Sequence, residues 1–315
     1  MKEGKRRQTA FGRHYLFPAL LGLAFLSLML YQAGLGLIRL VAWRALDTER
    51  PQVGLLEKTT RLRAVVIREE TVLTAPAGGT LEKVVPEAER VAAGGIIARI
   101  KLAGVAAGDT GVRNIVAPFA GQVCYHPDGL ESAFNPGIWE KVSYHDIFSL
   151  AQKATPNSPQ ETVRTGDPLI RLVNNLHPLF LYTVVDELPP EWEKQKQVTL
   201  LWPDREERLK VKIVNLYMVD NRTVLVLRLD NWGSEWLDKR LVEIEAVVER
   251  YPGFILPRKA LVVLPGGSQG VYILSGKGVR FQEVQVVGTV GDKISVQGIK
   301  PDMEVVTNPF WTRWL

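Results

Sequence analysis

The chain has 315 residues, of which 46% are hydrophobic and 23% are charged, and its formal net charge is +5. This length accommodates two or three domains, and the apolar fraction excludes a wholly disordered chain. Beyond the basic N-terminus the charges are mixed in sign and form no basic stripe, which argues against nucleic-acid binding. The single cysteine, Cys124, excludes an intrachain disulfide.

The N-terminal region predicts a basic cytoplasmic tail, 1–14, followed by a transmembrane helix, 15–38. The second segment has no charged side chain and is long enough to cross a hydrocarbon layer of about 30 Å. Basic residues concentrate before it, so the positive-inside rule predicts an inside N-terminus and an extracytoplasmic bulk. A cleaved signal peptide is the alternative, but the apolar region is longer than such peptides carry. Residues 39–60 are predicted to be a polar linker.

One pattern occurs twice after the linker. Each copy combines a strand, an Ala-Pro turn, a glycine, a strand, and a Val-x-x-Gly turn that leads into a last strand. The copies comprise 74–81, 91–94 and 99–100, and then 116–123, 163–166 and 171–172. One half has too few strands to bury its own apolar face. The repeat therefore predicts a pseudo-twofold β-sandwich over 61–173.

The two halves differ in their connections. Only 101–114 join them, which is too short for two antiparallel helices and a turn. The second half instead contains an insertion, 130–161, in which Trp139, Val142, Ile147 and Leu150 could line one face of a short helix. Two interpretations stay open for this insertion: a recognition element or a cover for a sheet edge.

Alternating patterns predict β structure in the rest of the chain. Residues 174–250 predict a β-barrel of about five strands, with the loop 230–236 at its rim. Pro252-Gly253 and Pro257 indicate a boundary, after which 251–309 predict a further β domain with a hairpin at 275–278. An aromatic tail, 310–315, ends the chain.

No catalytic motif is present, so we predict neither an enzyme nor a cofactor. Cys124 and His126 are two apart and would share one strand face. Together with His145 and Asp146 they are conceivable metal ligands, but scattered residues of this kind are far more common, and we predict no metal site. Lys101 lacks the neighbours of a cofactor-bearing lysine. The glycine-rich segment 265–270 lies between strands and predicts a hairpin turn.

The paired Ala-Pro and Val-x-x-Gly elements resemble the biotinyl/lipoyl-type barrel-sandwich hybrid. With an apolar segment before them and β domains after them, residues from about 50 to 309 resemble the HlyD-like periplasmic adaptors, or membrane fusion proteins. Segments 255–261 and 298–306 resemble the start and end of that family's last domain. The short link 101–114 departs from the family, which has a long helical hairpin at this position.

The resemblance implies a mainly β fold: an N-terminal transmembrane helix, a barrel-sandwich hybrid, a β-barrel and a membrane-proximal β domain. It implies a membrane-anchored extracytoplasmic adaptor subunit of an efflux or secretion transporter. The expected partner is a cytoplasmic-membrane transporter or another envelope protein, and homo-oligomers are a further expectation. The alternative is an envelope or cell-surface assembly scaffold without a transporter.

Such a protein acts through surfaces, and exposed aromatic residues are plausible contact anchors. The candidates lie in the insertion, at the barrel rim and in the tail: Trp139, Tyr144, Phe148, Trp232, Trp236, Trp311 and Trp314. For the tail, two interpretations stay open: contact with lipid headgroups or a membrane partner, and packing on its own β domain.

Overall fold

The computed structural model describes residues 16–102, 110–202, 207–276 and 278–315. Its chain forms two compact units. One runs Lys58–Glu249, and the other combines the chain before it with Arg250–Leu315. The predicted basic tail, 1–14, and part of the predicted link 101–114 lie outside the described residues.

The N-terminal helix, α1, spans Leu16–Arg44. Its part Leu21–Arg44 is long and apolar enough to cross a membrane by length and composition. Two strands follow, β1 at Thr48–Glu49 and β2 at Gln52–Ile67. The predicted linker 39–60 was therefore wrong: its first residues continue the helix, because 39–44 contain neither Pro nor Gly.

Outside 103–109, the sandwich contains eight described strands, four from each copy of the repeat. They are β3 (Glu70–Thr74), β4 (Gly79–Lys83), β5 (Arg90–Val91), β6 (Ile96–Leu102), β7 (Val112–Val116), β8 (Gly121–Cys124), β9 (Thr162–Val163) and β10 (Pro168–Val173). One sheet has the order β3-β10-β8-β5 and the other β7-β6-β4-β9. Replacing each strand by its counterpart in the other copy converts the first order into the second. The predicted pseudo-twofold is confirmed.

The same dyad appears in the turns. The backbone N–H of Gly166 donates to the carbonyl of Ala75, and that of Gly94 donates to the carbonyl of Ala117, both at 2.9 Å. The two glycines have φ of +88° and +80°, the left-handed region that favours glycine. The core between the sheets is made of paired positions such as Ile97 with Leu169. The Val-x-x-Gly element is thus a backbone requirement of each half.

The insertion forms a 3₁₀ turn at Ile138–Glu140 and a helix, α2, at Tyr144–Lys153. Ser143 ends the extended segment before α2, and its hydroxyl accepts a hydrogen bond from the N–H of Asp146 at 3.3 Å. Trp139 and Val142 were predicted to lie on one face of this helix, but they precede its first residue, so that part of the prediction was wrong.

The barrel consists of β2 and of elements that follow the sandwich in sequence. These are β11 (Leu179–Val185), α3 (Pro190–Gln195), β12 (Gln197–Leu201), β13 (Arg208–Val219), β14 (Arg222–Leu229) and β15 (Leu241–Pro257). The strand order is β12-β13-β14-β11-β2-β15, and pairing of β12 with β15 closes the ring. In the described part of the chain the barrel has six strands where about five were predicted. The additional strand is β2, which precedes the sandwich in sequence but pairs with β11.

The C-terminal β domain contains six short strands: β16 (Val262–Val263), β17 (Gln269–Ser275), β18 (Gly278–Glu283), β19 (Gln285–Val290), β20 (Lys293–Gln297) and β21 (Glu304–Val306). One sheet has the order β1-β21-β17-β16, with β18 on β17, while β19 and β20 extend from β15. Pairing of Ser275 with Gly278 confirms the predicted hairpin. β15 passes without a break through Pro252-Gly253, where a boundary was expected. A Cβ on Gly253 would lie 2.5 Å from Ser295 Oγ, so this glycine admits the neighbouring strand.

Candidate functional site

The insertion packs on the outer face of the barrel wall. Tyr144, Ile147 and Ala151, at helical spacing, form the buried face of α2. This face belongs to one apolar cluster with outward side chains of three barrel strands: Val65, Ile67, Tyr182, Val224 and Val226. Alternate residues of the same strands, such as Val66 and Leu181, point into the barrel. The insertion thus covers a sheet face rather than a sheet edge.

The insertion's three candidate aromatic residues take part in this packing. The ring of Trp139 lies 5.3 Å from that of Phe180, and the ring of Phe148 lies 6.1 Å from that of Tyr182. Tyr144 is 8% exposed. Beside α2 a cleft of about 380 Å³ remains open to solvent. Its lining comprises Arg63, Tyr144, His145, Phe148, Ser149, Gln152, Val184 and Arg222.

The two rim tryptophans are held by the barrel. Trp236 is 1% exposed and makes an edge contact with Trp202 at 4.6 Å. Trp232 is half-buried, and its indole N–H donates to the carbonyl of His177 at 3.0 Å. Trp236 is therefore a core residue in this structure, and Trp232 fixes the turn before β11.

The C-terminal tail forms a 3₁₀ helix, Pro309–Trp314, that packs beside the end of α1. Trp311 is half-buried there, while Phe310 and Trp314 are 57% and 43% exposed. Trp43, at the same end of α1, is 44% exposed. The Arg313 guanidinium lies 4.0 Å from the ring centre of Phe310. The tail thus packs on its own unit and also leaves aromatic surface open at the end of α1.

A buried ionic cluster joins the sandwich to the barrel within the Lys58–Glu249 unit. Arg68, at the end of β2, donates to Glu70 at 2.8 Å, and Arg240, just before β15, donates to Asp128 at 2.8 Å. Arg171 of β10 donates to Asp128 at 3.1 Å, and Arg240 also pairs with Glu70. The five side chains are at most 4% exposed.

Arg68 and Asp128 of this cluster keep their charges despite burial. Burial lowers the pKa of Arg68 to about 10, which leaves the guanidinium charged at neutral pH. Burial opposes the charge of Asp128, but hydrogen bonds and the charge of Arg240 hold the pKa of this carboxyl below its usual value. A buried charge without its partner is costly. The cluster therefore fixes the sandwich and the barrel strands in one arrangement.

Sequence reasoning missed this cluster. It did not single out Arg68, Glu70, Asp128 or Arg240. One residue in the repeat could have pointed to the cluster. Arg171 is the equivalent, in the second copy of the repeat, of Arg99 in the first. Arg99 is partly exposed, whereas Arg171 is 1% exposed.

The structure brings two of the considered metal ligands together. Cys124 and His126 meet Glu87 and Asp238, and one ligand atom from each residue lies within 4.8 Å of the others. Neither Glu87 nor Asp238 was considered from the sequence, since they are 37 positions before and 114 positions after Cys124. Such long separations leave no local pattern.

The other chemically suggestive residues lie elsewhere. His145 is on α2, where its Nε2 lies 3.8 Å from Asp220. Asp146 contributes its backbone N–H to the helix cap. Lys101 is exposed and its Nζ lies 3.3 Å from Glu82. None of these three joins the Cys124 group.

Comparison with known proteins identifies one domain of the chain. Residues 70–174 match the family described as RND related, barrel-sandwich hybrid domain. This segment contains both copies of the repeat, so the predicted barrel-sandwich hybrid is confirmed over residues 70–174. No curated protein sequence matches the chain at a significant level.

Similar solved structures include a putative efflux transporter and two proteins named ZneB and MacA. ZneB from Cupriavidus metallidurans is 10% identical over 84% of this chain and 93% of its own, with a TM-score of 0.33. A putative efflux transporter from Bacteroides eggerthii is 14% identical over 84% and 92%, also with a TM-score of 0.33. MacA from Actinobacillus actinomycetemcomitans is 12% identical over 83% and 99%, with a TM-score of 0.35. The domain assignment therefore depends on the family match and on the dyad.

Proposed function

We propose that the chain is a membrane-anchored, extracytoplasmic adaptor subunit of an efflux or secretion transporter. The observation that carries the proposal is the dyad-related sandwich at 70–174, which matches an RND-related domain family. Among the described residues, one apolar helix of suitable length precedes the β domains and supports anchoring. The protein acts through protein contacts and catalyses no reaction.

Its architecture suits a mechanical role. The barrel closes on itself, and the insertion covers the outer face of its wall. The buried cluster around Asp128 ties the barrel to the sandwich. A unit fixed in this way transmits a transporter's movement as a rigid body, since packed interiors deform little.

The end of α1 marks the level of the membrane surface in this proposal. Trp43, Phe310 and Trp314 leave aromatic surface exposed there, and tryptophan favours the boundary between bilayer and water. The tail therefore contacts lipid headgroups while Trp311 packs inward. With the N-terminus in the cytoplasm, the C-terminal β domain lies next to the membrane on the outer side.

The partner is a transporter of the cytoplasmic membrane that the adaptor meets close to the bilayer. β6 ends at Leu102 and β7 begins at Val112, so only 103–111 connect the two halves. That connection is too short for an arm reaching a distant channel. The alternative, an assembly scaffold without a transporter, is favoured by the same short connection.

Photo-crosslinking in native membranes tests the partner. In the full chain, a photo-reactive residue replaces either Gln152, which is exposed on α2, or Trp314, which lies in the tail. Proteins crosslinked on irradiation are identified by mass spectrometry. We expect an integral transporter of the cytoplasmic membrane to dominate, relative to the same sample without irradiation. Dominance of division or wall-assembly proteins would favour the scaffold and overturn the adaptor.

A further inference from the structure

Four potential metal-ligand atoms converge at one end of the sandwich. They are a carboxylate oxygen of Glu87, Cys124 Sγ, His126 Nδ1 and a carboxylate oxygen of Asp238, and all lie within 4.8 Å of one another. The four residues belong to the single unit Lys58–Glu249. The set offers one sulfur, one imidazole nitrogen and two oxygens, which suits a divalent cation of borderline softness.

The fold positions each of these groups. Cys124 is the last residue of β8, and His126 lies two positions further on. Glu87 lies between β4 and β5, where its second oxygen accepts the backbone N–H of Tyr125 at 2.8 Å. Such an outer contact orients a carboxylate for ligation. Asp238 comes from the loop before β15, so the group joins the sandwich to the barrel.

The two distances from His126 fit a shared ion better than direct hydrogen bonds, whereas the Cys124 thiol donates a hydrogen bond to Asp238. His126 Nδ1 lies 3.6 Å from Asp238 Oδ1 and 3.8 Å from Glu87 Oε1. Metal bonds of about 2.0–2.3 Å in tetrahedral geometry separate neighbouring ligand atoms by about 3.3–3.6 Å. Cys124 Sγ lies 3.0 Å from Asp238 Oδ1. Within the described part of the chain, the buried Nδ1 of His126 has no hydrogen-bond partner.

Charge and access also suit a cation. Binding of an ion would have to displace the proton of the buried Cys124 thiol. The resulting thiolate and the two carboxylates would carry three negative charges, of which a divalent ion would neutralise two. The third is matched by Arg171, whose guanidinium lies 3.2 Å from Cys124 Sγ and 3.5 Å from Asp238 Oδ1. The sulfur is buried, whereas the side chains of Asp238 and His126 are 57% and 35% exposed. An ion therefore reaches the buried thiol from the solvent side.

We propose that Glu87, Cys124, His126 and Asp238 form a binding site for one divalent transition-metal ion of the Zn²⁺ type. The ion ties the loop that carries Asp238 to the sandwich strand that ends at Cys124. It adds a second link between these elements beside the buried cluster. This site does not depend on the adaptor proposal, which is tested separately by the identity of the crosslinked partner.

Cobalt substitution tests the site in the full chain, purified in detergent without a polyhistidine tag and treated with a chelator. We expect bound Co²⁺ to give a thiolate-to-cobalt charge-transfer absorption band and the visible absorption bands of a tetrahedral site. Titration with Zn²⁺ should remove both sets of bands at one Zn²⁺ ion per chain. Cys124→Ser removes the charge-transfer band. Mutating a residue that only hydrogen-bonds to a metal ligand lowers metal affinity by about tenfold or more. His126→Ala removes a ligand itself, so it should weaken Zn²⁺ binding by at least that factor.

His145→Ala is the matched control, since His145 is an exposed histidine beside a carboxylate outside the group. It retains wild-type stoichiometry, affinity and spectrum. His126 is partly exposed, so its replacement leaves the fold intact, which circular dichroism verifies. Absence of the charge-transfer band in the wild type, or equal Zn²⁺ affinity of wild type and His126→Ala, overturns the proposal. The four side chains would then form only an ionic and hydrogen-bonded group.

Discussion

The side-chain amide nitrogen of Asn308 donates a hydrogen bond to the backbone carbonyl of Ala45 at 2.6 Å, across 263 positions of sequence. Ala45 directly follows α1, where the last carbonyls have no partner within the helix. The amide oxygen of Asn308 accepts the N–H of Asp47 at 2.8 Å. The C-terminal segment thus caps the helix that we propose as the membrane anchor.

Replacing Asn308 by alanine should loosen this junction. The change removes these two hydrogen bonds and a third, which the amide nitrogen donates to the Asp47 carboxylate at 3.2 Å. The expected cost is about 1–2 kcal/mol. Hydrogen–deuterium exchange of the full chain in detergent should then be faster at Thr307, whose N–H donates to the carbonyl of Asp47 at 2.9 Å. Thr312→Ala is the control, because its hydroxyl bonds only within the tail, to Pro309 at 2.7 Å. Equal exchange in Asn308→Ala and wild type would contradict the capping role.

Because of the dyad, replacing either of two equivalent glycines by alanine should destabilise the sandwich to a similar extent. A Cβ on Gly79 would lie 2.2 Å from the carbonyl oxygen of Lys101, and one on Gly121 would lie 2.5 Å from that of Val173. Alanine at either position should lower the free energy of unfolding by about 1–3 kcal/mol, because backbone must move. Gly78→Ala, whose Cβ meets its nearest atom at 3.4 Å, should be nearly neutral. Urea unfolding measures all three, and a tolerated Gly121→Ala would argue against the dyad.

Asp128→Asn tests the buried cluster. It removes the Asp128 carboxylate from Arg171 and Arg240 and leaves three buried guanidinium groups around Glu70. Unfolding should therefore become easier by about 3–5 kcal/mol. Asp230→Asn, at an exposed pair with Arg228, should cost less than about 1 kcal/mol. Both variants are compared by urea unfolding. Equal losses in the two variants would refute the role given to the cluster.

The pH dependence of stability follows from the same carboxyl group. The pKa of Asp128 in the folded protein lies below its ordinary value of 3.8, so folding favours the charged form. Its contribution is present above pH 3.8 and is lost as the pH falls through the folded pKa. The free energy of unfolding should decline in acid more steeply for the wild type than for Asp128→Asn. Parallel acid profiles would contradict this assignment.

The short-range parts of the fold were predictable from the sequence, because their signals are local. Ala-Pro turns, the positive-φ glycines at Gly94 and Gly166, and strand alternation fixed the sandwich and most later strands. Elements that depend on distant partners were not predictable in this way. β2 joins the barrel through β11, more than 100 positions later, and no local pattern distinguishes this pairing from a sandwich strand.

The site residues follow the same rule. Aromatic residues were selected as contact anchors, yet Trp236 and Tyr144 are buried because barrel and insertion faces cover them. The sequence analysis predicted no buried ion pair, yet Arg240 and Asp128 form one across 112 positions. Hydrophobicity predicts that a ring will be buried or bind a partner, but only the packing of other elements decides between these outcomes.

The lipid contact of the tail has its own test. Brominated lipids quench tryptophan at the bilayer surface, so Trp314→Phe should reduce the quenchable fluorescence of the full chain in nanodiscs. Trp232→Phe is the control, because Trp232 is half-buried at the barrel rim. An unchanged quenchable fraction in Trp314→Phe would show that the tail does not reach the lipid.

The most direct test of the account is the side of the membrane on which the β domains lie. In a Cys124→Ser background, a single cysteine replaces Ser158, exposed on the insertion, or Thr9, in the basic N-terminal segment. Spheroplasts are treated with a membrane-impermeant maleimide before and after permeabilisation. We predict that Ser158→Cys is labelled in intact spheroplasts and Thr9→Cys only after permeabilisation. Labelling of Ser158→Cys only after permeabilisation would contradict the account.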